Sequence, residues 1–135
     1  MEKIASLLER HLSHFKNIEP DCSISDALCR MSTHNSDYLI VMDEKKQFLG
    51  LLTERDIARK ALFMHRSLEQ TKVKELMNTQ WPFADTHDSV ANCMKIMKEY
   101  HVKFVPVFQN MEFVGVVSAD DILNEVVMNR SLVFD

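Results

Sequence analysis

The chain is written twice. Laid over one another, ISDALCRM at 24–31 and VANCMKIM at 90–97 place Ile24 on Val90, Leu28 on Met94 and Met31 on Met97, an offset of 66 residues. The same offset carries DYLIVM (37–42) onto KFVPVF (103–108). An offset of 65 carries FLGLLTERDI (48–57) onto FVGVVSADDI (113–122), one residue having been lost between DEKKQ and QNME. The upstream segments also rhyme, with IASLLERHLSHFKNIEPDCSI before the first copy and VKELMNTQWPFADTHDSV before the second. A duplication this extensive constrains the fold more than any local propensity, because both copies must form the same supersecondary unit. No Pro-, Gly- or Ser-rich linker separates them, so each copy is expected to complete the other's core.

Each copy reads as β-α-β-β-α, an α/β fold class. A short extended segment (15–18; 82–84) leads through a polar capping stretch to a helix with apolar residues three and four apart. Two β-rich runs follow, YLIVM and FLGLL, then FVPVF and FVGVV, joined by polar turns that imply hairpins. A second helix follows, its stripe being Ile57, Ala58, Ala61 and Leu62 in one copy and Ile122, Leu123, Val126 and Val127 in the other. Residues 1–14 add an amphipathic leading helix through Ile4, Leu7, Leu8 and Leu12, and 129–135 reads as a tail. The implied division is 1–70, the first copy with its leading helix, and 71–135, the second copy with the tail.

Composition narrows the function. With 46% apolar residues in 135, a buried core is readily built. A net charge of -4 without any Lys/Arg run argues against a nucleic-acid binder, which needs clustered cations. Charges recur every few residues in the N-terminal stretch, and no uninterrupted apolar span is long enough for a membrane. A cytoplasmic location without membrane contact is expected. Cys22, Cys29 and Cys93 lack CxxC spacing and read as reduced thiols. Two glycines 65 apart exclude a GxGxxG or Walker loop. His11 and His14 have no companion ligands in sequence, and His34, His65, His87 and His101 are scattered, so no metal site is expected. No nucleophile-and-base signature stands out, and the nine methionines read as core filling. The chain is expected not to be an enzyme.

The two glycines introduce the remaining motif. Gly50-Leu51-Leu52-Thr53-Glu54-Arg55-Asp56 and Gly115-Val116-Val117-Ser118-Ala119-Asp120-Asp121 each set a hydroxyl three residues before a carboxylate. One reading is a capping box, in which the hydroxyl caps a helix and the carboxylate reaches back to it. The other begins from glycine within a strand, which marks a bulge or a close approach to the backbone. A helix N-terminus with free N–H groups suits a phosphate, and a carboxylate one turn in can accept two hydroxyl protons from a ribose.

With this motif in duplicate, VKELM before the second copy and Pro106 within FVPVF, residues 1–128 resemble a tandem CBS-domain protein, a Bateman module. Ile40 stands where the family usually has proline. The resemblance implies two units packed through their sheets about a pseudo-twofold axis, leaving two clefts for adenosyl ligands such as AMP, ADP, ATP or S-adenosylmethionine, with no other cofactor. One cleft would join Thr53, Arg55 and Asp56 to Thr86, Asp88, Val102, Lys103 and Phe104. The other would join Ser118, Asp120 and Asp121 to Cys22, Ser36, Asp37 and Tyr38. Such modules pair through helical faces, so a homodimer acting on a separate effector protein is expected. The alternative is a structural dimerisation module with vestigial clefts. Position for position, Arg55 stands against Asp120 and Lys103 against Asp37. Each charge–phosphate pair at ~6 Å is worth about 3 kcal/mol before salt screening, so the Thr53/Asp56 cleft is expected to take the phosphorylated ligand.

Overall fold

The computed structural model describes residues 3–10 and 16–134. After α1 (Ile4–Arg10), the first copy comprises β1 (Asn17–Ile18), α2 (Ile24–Thr33), β2 (Tyr38–Met42), β3 (Phe48–Thr53) and α3 (Glu54–Ile57), which continues as a π-helical turn (Ala58–Leu62). A short α4 (Val73–Leu76) precedes β4 (Ala84–Asp85), α5 (Val90–Tyr100), β5 (Phe104–Gln109), β6 (Glu112–Ser118) and α6 (Ala119–Phe134). The doubled β-α-β-β-α order holds. Each copy forms a three-stranded sheet, ordered β1-β2-β3 or β4-β5-β6, whose first pair is parallel and second antiparallel.

Local chemistry starts the helices in matching places. Ser23 accepts from the Asp26 N–H at 3.0 Å to cap α2, and Ser89 accepts from the Asn92 N–H at 3.0 Å to cap α5. The apolar stripes then face the sheets. Ile24, Ala27 and Met31 of α2 join Leu39, Val41 and Leu52 in one core, while Cys93 and Met97 of α5 join Val105, Val107 and Val117 in another. Burial pushes the Cys93 thiol up to about 12, with the Asp88 carboxylate adding to it, so this cysteine is an inert core residue.

The compact units do not divide at 70/71. One comprises 15–81, and the other 1–14 with 82–135. The leading helix packs with the second copy, and α4 with the first. Ile4 and Leu7 are buried in the second core as Val73 and Leu76 are in the first. Their hydrogen bonds are equivalent too: Val73 N–H donates to the Cys22 carbonyl and Lys74 N–H to Pro20, while Ile4 N–H donates to Asp88 and Ala5 N–H to Thr86. Both copies present the same acceptor edge, so sequence order alone does not decide which lead-in covers which.

Three further expectations change. The segment 129–134 continues α6 where a tail was expected, since nothing in NRSLVF breaks a helix. Ile57 and Ala61 are buried as the stripe requires, but Ala58 and Leu62 are exposed. There the helix widens to a π turn, with Phe63 N–H donating to the Ala58 carbonyl, and the 3.6-residue register is lost. In α6 only Ile122 of its stripe is buried, while Leu123, Val126 and Val127 face outward. His11, Leu12, His14 and Phe15 lie outside the described residues. Among those described, no helix is long and apolar enough to cross a membrane.

Candidate functional site

Strand β3 delivers Thr53, buried, to the start of α3. Its hydroxyl accepts from the Asp56 N–H at 3.0 Å and donates to Asp56 Oδ2 at 3.0 Å, while its own N–H reaches that oxygen at 3.3 Å. In the second copy Ser118 Oγ accepts from the Asp121 N–H at 3.0 Å, and Ser118 N–H donates to Asp121 Oδ2 at 3.2 Å. Both heptapeptides are therefore capping boxes. Their helices start where the carboxylate closes back on the strand. In the first box the bonds fall on Oδ2, and Asp56 Oδ1 lies 3.8 Å from Lys60 Nζ, beyond hydrogen-bond reach. Arg55 and Asp120 are exposed, and Asp121 is half-buried.

The box in each unit adjoins the head of the neighbouring strand. Glu54 N–H donates to the Asp37 carbonyl at 3.0 Å, and Tyr38 pairs with Thr53 across β2 and β3. Ser36 braces that strand head, its hydroxyl donating to the Tyr38 carbonyl at 2.7 Å. Equivalently, Ala119 N–H donates to the Lys103 carbonyl at 2.8 Å, and Phe104 pairs with Ser118. Val102, half-buried, closes α5 through its bond to Met97. Residues assigned from sequence to opposite clefts are thus backbone neighbours inside one unit. Of the first set, Thr53, Arg55 and Asp56 belong to the unit 15–81, and Thr86, Asp88, Val102, Lys103 and Phe104 to the other; Ser118, Asp120 and Asp121 divide from Cys22, Ser36, Asp37 and Tyr38 in the same way.

Thr86 and Asp88 occupy the loop onto which α1 docks. Asp88 Oδ2 accepts from the Asp85 N–H at 2.8 Å, and Asp85 Oδ1 accepts from the His87 N–H at 2.9 Å. That backbone donor first, then the His87 ring, holds the Asp85 carboxyl below its ordinary range. Thr86 is 7% exposed, and its Oγ1 is buried without a hydrogen-bond partner among the described residues. Cys22, at the equivalent of Asp88, is half-buried and holds Val73 through its carbonyl.

Two participants escaped the sequence reading. Lys60 donates from Nζ to the Leu76 carbonyl at 3.0 Å as well as facing Asp56. Its spacing of four from Asp56 was the available signal. Asn78 is the second. It exchanges two backbone bonds with Leu51, and a Cβ on Gly50 would meet its carbonyl at 2.8 Å. What approaches Gly50 is backbone. On the unit containing α5 and α6, a groove of about 520 Å³ is lined mainly by apolar groups, among them Met94, Met97, Val102, Leu123 and Val126. Among the described residues no three His, Cys, Asp or Glu side chains gather as metal ligands.

Two equivalent three-stranded α/β units, each with a hydroxyl–carboxylate box, define a tandem-repeat module. The chain belongs to the CBS domain family, whose model matches residues 4–62 and 73–128. It is 30% identical over 111 residues to the mitochondrial CBS domain-containing protein CBSX3 of Arabidopsis thaliana, covering 79% of this chain and 54% of that protein, about half its length. It is 25% identical over 128 residues to the CBS domain-containing protein YhcV of Bacillus subtilis, covering 95% and 90% of the two chains. The crystal structure of the CBS domain NE2398 superposes with a TM-score of 0.85 at 29% identity, covering 94% of this chain and 99% of the other. Proteins of this family are commonly regulatory or signal-transduction modules, and their stand-alone forms are typically regulatory and not catalytic.

Proposed function

We propose that this chain is a non-catalytic cytoplasmic sensor of an adenosyl nucleotide of the AMP, ADP or ATP class, acting as a homodimer on a separate effector protein. S-adenosylmethionine is a further candidate. The residues proposed to bind the ligand are Thr53, Arg55 and Asp56 with Thr86, Asp88, Val102, Lys103 and Phe104. The second proposed set, with Asp37, Asp120 and Asp121, is weaker for phosphates. The observation that carries this reading is the Thr86 hydroxyl. A buried polar group left unpartnered costs about 1–3 kcal/mol, and a phosphate or ribose oxygen would satisfy it. The box carboxylates support the reading in the same way, since Asp56 Oδ1 retains acceptor capacity after its cap is made. Arg55 and Lys103, both exposed, add positive charge where the second set has carboxylates.

Thermal-shift titration with AMP, ADP, ATP, S-adenosylmethionine and GTP tests this. At 100 times its Kd a ligand adds about 2.7 kcal/mol, several degrees in Tm. Asp56→Ala abolishes the response and Asp121→Ala leaves most of it. Equal losses would overturn the charge assignment. No response to any nucleotide would favour the second reading, a structural homodimerisation module, which the outward-facing groove between α5 and α6 supports.

A further inference from the structure

The first box does not end at Asp56. One turn on, inside the π-helical turn, Lys60 sets its ammonium 3.8 Å from Asp56 Oδ1 and donates to the carbonyl of Leu76, the last residue of α4, at 3.0 Å. The Asp56 side chain is only 15% exposed, so solvent screens this pair less than it would an open surface pair. Beyond Leu76, Met77 N–H closes α4 on the Val73 carbonyl at 2.9 Å, and Asn78 pairs with Leu51 through bonds of 2.6 and 2.9 Å. A single side chain thus connects the carboxylate of the box to the segment that joins the two copies. Single π turns are unusual and gather at functional positions, and this one lies between Asp56 and Phe63.

The second copy has no lysine at the corresponding position. Its counterpart of α4 is α1, where Leu7 stands for Leu76, and at the offset of 65 its counterpart of Lys60 is Glu125. A carboxylate has no proton to donate to a carbonyl, and the negative end of a helix disfavours it. The duplication therefore preserves the box in both copies, with a lysine at the bridging position in the first and a glutamate in the second.

We infer that Lys60 is a positioning residue that holds Asp56 for the sugar of the nucleotide and couples occupancy of that carboxylate to the segment 73–78. The sugar and the coupling rest on the nucleotide reading above; the tie from Asp56 through Lys60 to Leu76 does not. Ribose hydroxyls donating to Asp56 Oδ1 immobilise the carboxylate, the carboxylate immobilises the ammonium, and the ammonium immobilises the Leu76 carbonyl. The segment between the copies then opens less often.

Amide hydrogen exchange at Met77 and Asn78, read with and without saturating AMP, tests both parts on the intact chain alongside calorimetric titration of AMP. Lys60→Met keeps the aliphatic stem of a side chain that is 42% exposed, so it preserves the fold. In the free protein Lys60→Met exchanges these amides about 5- to 10-fold faster than wild type, and Lys60→Arg does not, because a guanidinium still donates. AMP slows exchange in wild type and in Lys60→Arg but not in Lys60→Met, whose Kd for AMP rises about 5- to 10-fold. Unchanged exchange in free Lys60→Met overturns the positioning role. Equal slowing by AMP in Lys60→Met and wild type overturns the coupling. A wild type that binds no adenine nucleotide overturns the proposed function and the coupling together, while the free-protein comparison still decides the tie to Leu76.

Discussion

A methyl group on Gly50 would sit 2.8 Å from the Asn78 carbonyl oxygen, and that oxygen is fixed because it accepts from Leu51 N–H at 2.9 Å. Backbone cannot yield as a long side chain can, so Gly50→Ala is expected to destabilise the protein by about 1–3 kcal/mol, read as a lower Tm. Glu75 carries a residue-level pH dependence. The Lys72 N–H first, at 2.7 Å, and then the Arg66 guanidinium hold its carboxyl below the ordinary value. A carboxyl lowered in the folded state contributes stability that is present above its unfolded pKa and lost as pH falls through the folded one. Wild type should therefore lose more Tm than Glu75→Gln as the medium is acidified below the ordinary glutamate range.

Among elements, the central strands show how one residue sets a pairing. Ile40 N–H donates to the Lys16 carbonyl at 2.8 Å, and the parallel ladder begins at Asn17 opposite Ile40. Pro106, its counterpart, has no N–H, and the ladder of the second copy begins one position later, with Ala84 opposite Val107. The usual proline is thus replaced in the first copy by a residue whose amide is used. Ile40→Pro should cost about 1–3 kcal/mol by denaturant titration, whereas Pro106→Ile, which removes no bond, should cost less. The lead-in helices α1 and α4 obey one rule as well: an apolar pair one turn apart, Ile4 with Leu7 or Val73 with Leu76, fills a core whose other members are distant in sequence.

At the scale of the whole molecule, six of the eleven exposed large apolar residues among those described follow the boxes. Leu62, Phe63 and Met64 follow the first, with Phe63 84% exposed, and Leu123, Val126 and Val127 follow the second. Large exposed apolar groups mark surfaces that associate. Phe63→Ser is expected to weaken self-association in analytical ultracentrifugation while leaving the protomer's denaturant midpoint nearly unchanged, since the ring buries little in the single chain.

The doubled chain, the five elements of each copy and both capping boxes were legible before folding was considered, because each is written in residues two, three or four apart, or in a repeat at fixed offset. Ser118 and Asp121 are neighbours by helix geometry alone. Asp37 beside Glu54, Lys60 on Leu76, Asn78 over Gly50, and α1 on the second copy's core were decided only by the tertiary structure. Those contacts join residues far apart along the chain whose partners are largely backbone carbonyls, and every residue carries a carbonyl, so no pattern of side chains marks which one is chosen.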